Sequence, residues 1–152
     1  MKTEDAMVHS AQSCGRVLSP DQLAALVKAK QTTVREMIAS GLEPLPGVDD
    51  FLRWAHQHYR LSMATSGSRG TVSLALRQLG YADWFDPIIC AEDVSLAKPH
   101  PQAFLTVLSQ TGYSSAQAIV FEDSAAGLEA AKAASIDVVR IEHNSWIEFG
   151  KV

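Results

Sequence analysis

Three groups of residues in this chain have types and spacing that could do chemistry: Thr65-Ser66-Gly67-Ser68-Arg69, Lys98, and Glu122-Asp123. The first places small hydroxylic residues where an apolar run gives way to a helical pattern. Backbone N–H groups and hydroxyls at such a turn make a cradle for phosphate, strengthened by the amino end of the following helix. The same residues also make an ordinary capped turn. Lys98 precedes Pro99-His100-Pro101, so its backbone is stiff, and a fixed ammonium can neutralise a phosphoryl group in transfer. A solvated surface lysine is the plain alternative. Glu122-Asp123 ends the apolar run of residues 118–121. Two neighbouring carboxylates repel, and holding both ionised is costly without a cation nearby, for which Mg2+ is the hard, oxygen-seeking choice. The alternative is a hydrated acidic turn in which Asp123 or Ser124 caps the next helix. Hydroxyl loop, lysine and acid pair each follow a strand, in that order, and this favours one site over three accidents.

The elements that must position them alternate along the chain. Residues 1–17 show no clear periodicity and are read as a short helix. Ser19-Pro20-Asp21 is a helix start, a capping hydroxyl followed by proline in the first turn. Leu23, Leu26, Val27, Val34, Met37 and Ile38 then keep helical spacing up to Ser40-Gly41. Pro44, Pro46 and Gly47 interrupt the pattern and predict a hinge over residues 42–47, after which residues 48–58 read as a helix. Strands are expected over 61–65, 87–91, 118–121 and 137–141. Helices are expected through Val72, Leu76 and Leu79 to Gly80, over 101–111 closed by Gly112, and over 124–134. Strands alternating with helices imply right-handed crossovers and an α/β fold with a Rossmann-like parallel sheet covered on both faces. Ligands of such sheets bind at the carboxyl ends of the strands, where all three groups fall.

Composition narrows the partners. The 152 residues are 47% hydrophobic, enough for one domain with a real core. A net charge of -4 with scattered Lys and Arg argues against nucleic acid. Cys14 and Cys90 are too far apart in sequence to suggest a zinc site or a disulfide framework, which fits a reducing cytoplasm. No apolar run approaches the roughly 18 residues that a membrane span needs, and the amino-terminal residues lack a signal peptide's basic and apolar regions. A soluble, cytoplasmic protein with no membrane partner is expected.

The same residues resemble a known family. Thr65-Ser66, Lys98-Pro99 and the run from Phe121 to Ala131, FEDSAAGLEAA, look like the second, third and fourth motifs of haloacid dehalogenase superfamily hydrolases. The branch containing β-phosphoglucomutase and phosphoglycolate phosphatase is the most similar, and Leu45-Pro46-Gly47-Val48 resembles its hinge from cap to core. The resemblance implies that Thr65 contacts the phosphoryl group through its hydroxyl, with Ser66 and Gly67 lining the phosphate site. It implies that Lys98 neutralises the phosphoryl group and the nucleophile, and that Asp123, assisted by Glu122, binds Mg2+. The implied reaction is phosphoryl transfer through an aspartyl-phosphate, with small phosphorylated sugars and acids as substrates. Residues 1–45 would be the remnant of a helical cap and residues 46–152 an incomplete α/β core.

One departure matters. The family begins with an apolar strand ending in D-x-D-G-T, whose first aspartate is the nucleophile, and no such segment occurs in these 152 residues. Glu4-Asp5 follows no apolar strand, and Asp49-Asp50 falls inside a predicted helix. The chain thus reads as the carboxyl-terminal two-thirds of such an enzyme, from a truncated gene model or an interrupted reading frame, and is expected to be inactive alone. The alternative is a short protein that binds a phosphorylated ligand or a partner without turnover. In relatives the missing strand lies between those ending here near Thr65 and Phe121. Three outcomes are open: the flanking strands close up, a partner or self-association through the exposed edges fills the gap, or stability is poor.

The remaining candidates have modest expectations. His56 and His58, at i and i+2 on a helix, point to different faces and are poor joint metal ligands. His100 is read as a turn residue. Trp54, Trp84, Phe85 and Phe104 are read as packing residues. Arg69 is read as solvated, with a second phosphate or carboxylate of a substrate as the other possibility.

Overall fold

A computed structural model describes residues 3–142 of the chain. It opens with two helices, α1 (Thr3–Ser13) and α2 (Pro20–Ser40), and α2 packs against α1 and against a later helix, α4 (Arg69–Leu79). The start of α2 is set by a reciprocal cap. Ser19 Oγ accepts from the Gln22 amide at 3.2 Å, and the Ser19 amide donates to Gln22 Oε1 at 2.9 Å. Its end is set by Gly41, whose φ of 136° few side chains tolerate. Residues 41–47 form the expected break, and α3 (Val48–His58) follows with the boundaries read from the sequence.

The remaining elements alternate: β1 (Leu61–Ala64), α4, β2 (Phe85–Ile89), α5 (Gln102–Thr111), β3 (Ile119–Glu122), α6 (Ala125–Ala133) and β4 (Asp137–Arg140). This is an α/β, Rossmann-like arrangement in which β1 pairs with β2 and β3 with β4, both in parallel. β1 and β4 each end one residue earlier than the sequence reading, and β2 and β3 are displaced at both ends, β2 to 85–89 and β3 to 119–122. β2 starts earlier, at Phe85, which pairs with Leu61. The register then slips by one residue before Met63 meets Ile88, around Pro87, which has no N–H to give to the ladder. β3 runs on to Glu122, because Glu122 still pairs with Arg140 and its carbonyl accepts from the Ile141 amide at 2.9 Å.

The expected single sheet is instead two parallel pairs. Among the described residues β1 and β3 do not hydrogen-bond to one another, so the flanking strands have not closed up. The core lies on the α5/α6 side. Phe104, Ala130, Ala131, Ala134 and Ile136 form one buried cluster, and Ile89, Val94 and Ala103 form another. Ala64, at the end of β1, packs against both clusters and so joins the two strand pairs through side chains rather than through a backbone ladder. Burying a ring the size of Phe104 contributes about 2–3 kcal/mol, and the small Ala130 and Ala131 let α6 approach closely enough to cover it. On the other side α3 is tied down by polar and aromatic contacts. The buried Tyr81 hydroxyl donates to Asp49 Oδ1 at 2.7 Å, and His56 stacks on Trp84 with 5.0 Å between ring centroids. Trp54, expected as packing, is 47% exposed and stacks on His58 at the surface. No described helix is long and apolar enough to cross a membrane.

Candidate functional site

Thr65 leaves β1 while its amide still bonds the Ile89 carbonyl at 2.9 Å, which fixes its side chain at the strand end. The Gly67 amide donates to Thr65 Oγ1 at 3.0 Å. The hydroxyl oxygen thus accepts within the loop, and its proton is left to donate outward. The loop must stay small: a Cβ on Gly67 would lie 3.0 Å from Val72 Cγ2 and 3.3 Å from Thr65 Oγ1. Ser66 is exposed at the tip, and Thr65, Ser66, Ala97 and Lys98 line one small recess.

Lys98 enters this recess from the loop between β2 and α5. Its side chain is 8% exposed, which excludes the solvated alternative. The ammonium donates to the Ala64 carbonyl at 3.1 Å and to Glu122 Oε2 at 2.6 Å, and lies 4.6 Å from the centre of the Phe104 ring. Glu122, 12% exposed, uses its other oxygen, Oε1, to accept from Ser124 Oγ at 2.8 Å and the Ser124 amide at 3.2 Å. Burial pushes the Glu122 carboxyl upward, but the hydrogen bonds from Lys98 and Ser124 together outweigh it and hold the group below its ordinary pKa. Ser124 Oγ in turn accepts from the Gly127 amide at 3.0 Å and caps α6. Gly127 is required at its place because a Cβ there would collide with the Glu122 side chain.

The structure therefore gathers Thr65, Ser66, Lys98 and Glu122 at the carboxyl ends of β1 and β3, with Gly67 behind Thr65. Asp123 follows directly and is exposed. Carboxylate oxygens suit a hard cation, but no group of three or more His, Cys, Asp or Glu side chains converges among the described residues. Glu122 and Asp123 thus offer part of the roughly six-oxygen shell that Mg2+ prefers.

Two features escaped sequence reasoning. Glu92-Asp93 is a second acid pair just after a strand, like Glu122-Asp123, yet its role differs. Both Glu92 oxygens accept from the Arg69 amide at 3.1 Å, at the amino end of α4, while Asp93 pairs with the Arg69 guanidinium. The Arg69 hydrogen bond, with help from the Cys90 amide, holds the Asp93 carboxyl below its ordinary pKa. Arg69 also donates to the Ile88 carbonyl at 3.3 Å, so it braces the loop after β2 while its side chain stays half exposed. The Lys98–Glu122 pair was the other omission, because each residue had been given to a ligand rather than to its neighbour. The signal for it was present in Gly127, three positions after Ser124, where only a glycine leaves room for a buried Glu122. His100 accepts from the Gln102 amide in a turn, as expected.

Comparison with known proteins identifies the family and the fold. Residues 3–141 match the family described as haloacid dehalogenase-like hydrolase. Fructose-1-phosphate phosphatase YqaB of Escherichia coli is 34% identical over 117 residues, 77% of this chain and 62% of that protein. Validoxylamine A 7'-phosphate phosphatase of Streptomyces hygroscopicus subsp. limoneus is 41% identical over 93 residues, 59% of this chain and 44% of its own. Among solved structures, β-phosphoglucomutase from Clostridium difficile aligns with a TM-score of 0.81 at 21% identity, over 92% of this chain and 64% of the other. CbbY from Rhodobacter sphaeroides, solved in complex with phosphate, aligns with a TM-score of 0.73 at 27% identity, over 88% and 62%. The chain spans 62%, 58% and 62% of the first three curated relatives it matches. Since the match runs from α1 through the end of β4, this chain belongs to the haloacid dehalogenase-like hydrolase family.

Proposed function

We propose that this chain carries the phosphate-binding and metal-facing part of a phosphatase or phosphomutase site for small phosphorylated sugars or acids. The observation that carries the reading is the recess where Thr65, Ser66 and Lys98 meet, with Glu122 bonded to Lys98. In this reading the Thr65 hydroxyl and the Ser66 amide donate to phosphoryl oxygens. Lys98 neutralises their charge in a site shielded from water, where a fixed ammonium is worth most. Asp123, with Glu122 beside it, would hold Mg2+, which when bound supplies further neutralisation of phosphoryl oxygens. Glu122 and Ser124 keep Lys98 from swinging away. The relatives named as phosphatases of fructose 1-phosphate and of validoxylamine A 7'-phosphate support the substrate class.

Turnover also needs a nucleophile, and the sequence holds no D-x-D pair to supply one. We therefore propose that the 152 residues bind phosphate without hydrolysing its esters. Calorimetric titration with inorganic phosphate and with fructose 1-phosphate, with and without Mg2+, tests the binding, and p-nitrophenyl phosphate with Mg2+ tests turnover. The expected result is saturable binding weakened about tenfold in Thr65→Val, the loss of roughly one hydrogen bond to a charged ligand, with no release of nitrophenol. No binding of either ligand would remove the phosphate cradle. Hydrolysis by the purified chain would show that it has a nucleophile of its own.

A further inference from the structure

The loop after β2 holds the Thr65-Ser66-Gly67 loop at successive points. The Ile89 carbonyl accepts from the Thr65 amide at 2.9 Å, the Ala91 amide donates to the Gly67 carbonyl at 3.1 Å, and Glu92 accepts from the Arg69 amide with both oxygens at 3.1 Å. The first two bonds continue the parallel pairing of β1 with β2 past the ends of the strands. At the third, residues 91–93 turn into a tight helical turn, and a side chain replaces the backbone acceptor. Asp93 completes the clasp. It pairs with the Arg69 guanidinium and accepts from the Cys90 amide at 2.7 Å.

Ser66, whose amide and hydroxyl take no partner among the described residues, sits between the pinned Thr65 and Gly67. A donor meant for an anion is most effective when it is already aimed, because ordering it at binding costs free energy. Ala91 and Val94 flank Glu92-Asp93 and line the same recess as Thr65, Ser66 and Lys98. Lys98 lies farther along the same loop and is fixed at its own end by Ala64 and Glu122. Carboxylates near an anion site repel the ligand, so their presence there calls for another reason. Arg69 offsets the charge of Asp93, and the amino end of α4, with its partial positive charge, takes that of Glu92.

We infer that Glu92 and Asp93 are positioning residues for phosphate. Acting through Arg69, and without touching the ligand, they hold the Thr65-Ser66-Gly67 backbone in the shape that presents its donors beside Lys98. The inference rests on the proposed phosphate site and names the groups that set its geometry. Because Glu92 occupies the first amide of α4, phosphate is confined to the donors of Thr65, Ser66 and Lys98 and does not slide onto the helix end.

The test uses the full 152-residue chain, with inorganic phosphate binding read by calorimetry and hydrogen exchange of the ligand-free chain read by mass spectrometry. Glu92→Ala should weaken phosphate binding about tenfold, whereas Glu92→Gln, which keeps an oxygen for the Arg69 amide, should stay within about threefold of the parent. Asp93→Ala, which releases the Arg69 guanidinium, should act in the same direction as Glu92→Ala. A residue that served stability alone would act independently of Thr65. Glu92→Ala and Thr65→Val should instead be coupled, the double variant binding about twentyfold more weakly than the parent rather than about a hundredfold. In the ligand-free chain Glu92→Ala should speed exchange at residues 65–69 and leave residues 119–131 unchanged. Unchanged or tighter phosphate binding by Glu92→Ala, fully additive losses, or equal loss of protection at residues 119–131 would each overturn the inference. If the parent chain binds no phosphate, the proposed function fails and exchange alone decides the clasp: selective loss at residues 65–69 upholds it, and unchanged protection there overturns it.

Discussion

The Lys98 ammonium sits 2.6 Å from Glu122 Oε2 with both side chains nearly dry, at 8% and 12% exposure, although the residues lie 24 positions apart in sequence. The pair locks the end of β3 to the loop before α5. Through the Ala64 carbonyl it also locks the end of β1.

Breaking a pair this buried leaves a charge without its counterion, which typically costs about 3 kcal/mol. Lys98→Met and Glu122→Gln should each lose about that much stability in urea unfolding, and the double variant should lose clearly less than the sum of the two. Additive losses would mean that the two charges are not coupled.

Gly127→Ala should destabilise the chain by about 2 kcal/mol, the usual scale for forcing atoms into an occupied place. The new methyl would collide with the Glu122 side chain. Combining it with Glu122→Ala should recover part of the loss, because the clash disappears. A neutral Gly127→Ala, measured by thermal unfolding, would contradict the placement of Glu122 against α6.

Tyr81 is 3% exposed, and burial, followed by its hydrogen bond to Asp49, pushes its phenol up to about 12. The folded state thus holds this proton more tightly than the unfolded chain, whose tyrosines titrate near about 10. The stabilisation is complete below about pH 10 and is lost as pH rises toward about 12. Unfolding curves across that window should fall more steeply for the parent chain than for Tyr81→Phe. Equal slopes would place the Tyr81 hydroxyl in water.

Cys90 is fully buried and burial raises its thiol pKa, whereas Cys14 is exposed. Reaction of the native chain with a disulfide reagent should label Cys14 within minutes and Cys90 only after denaturant is added, since thiolate character and access set the rate. Rapid labelling of both would mean that the region after β2 opens readily.

Much of the fold was legible because its signals are local. Ser19 with Gln22, Pro20 and Gly41 mark the limits of α2 within a few residues of themselves, and Gly80 and Gly112 do the same for the ends of α4 and α5. The site was partly legible for the same reason. Thr65 follows β1, Lys98 lies in the loop after β2 and Glu122 ends β3, and a parallel sheet brings such positions to one rim. The roles of the charged residues were less so. Glu92-Asp93 and Glu122-Asp123 look alike in sequence, but one pair holds Arg69 at the start of α4, while in the other Glu122 meets Lys98.

By itself the sequence determined the order of strands and helices, the break before α3, the chemical types gathered at the strand ends and the lack of a D-x-D pair. Periodicity and capping act over one or two turns, so no distant contact is needed to read them. Only the tertiary structure decided that Lys98 pairs with Glu122, that Arg69 serves as a brace, that Trp54 faces solvent, and that the sheet divides between β1 and β3. Those outcomes depend on which groups from distant segments share a desolvated space. In such a space an unpaired charge is costly enough to fix its partner, and the pairing then sets the geometry of the site.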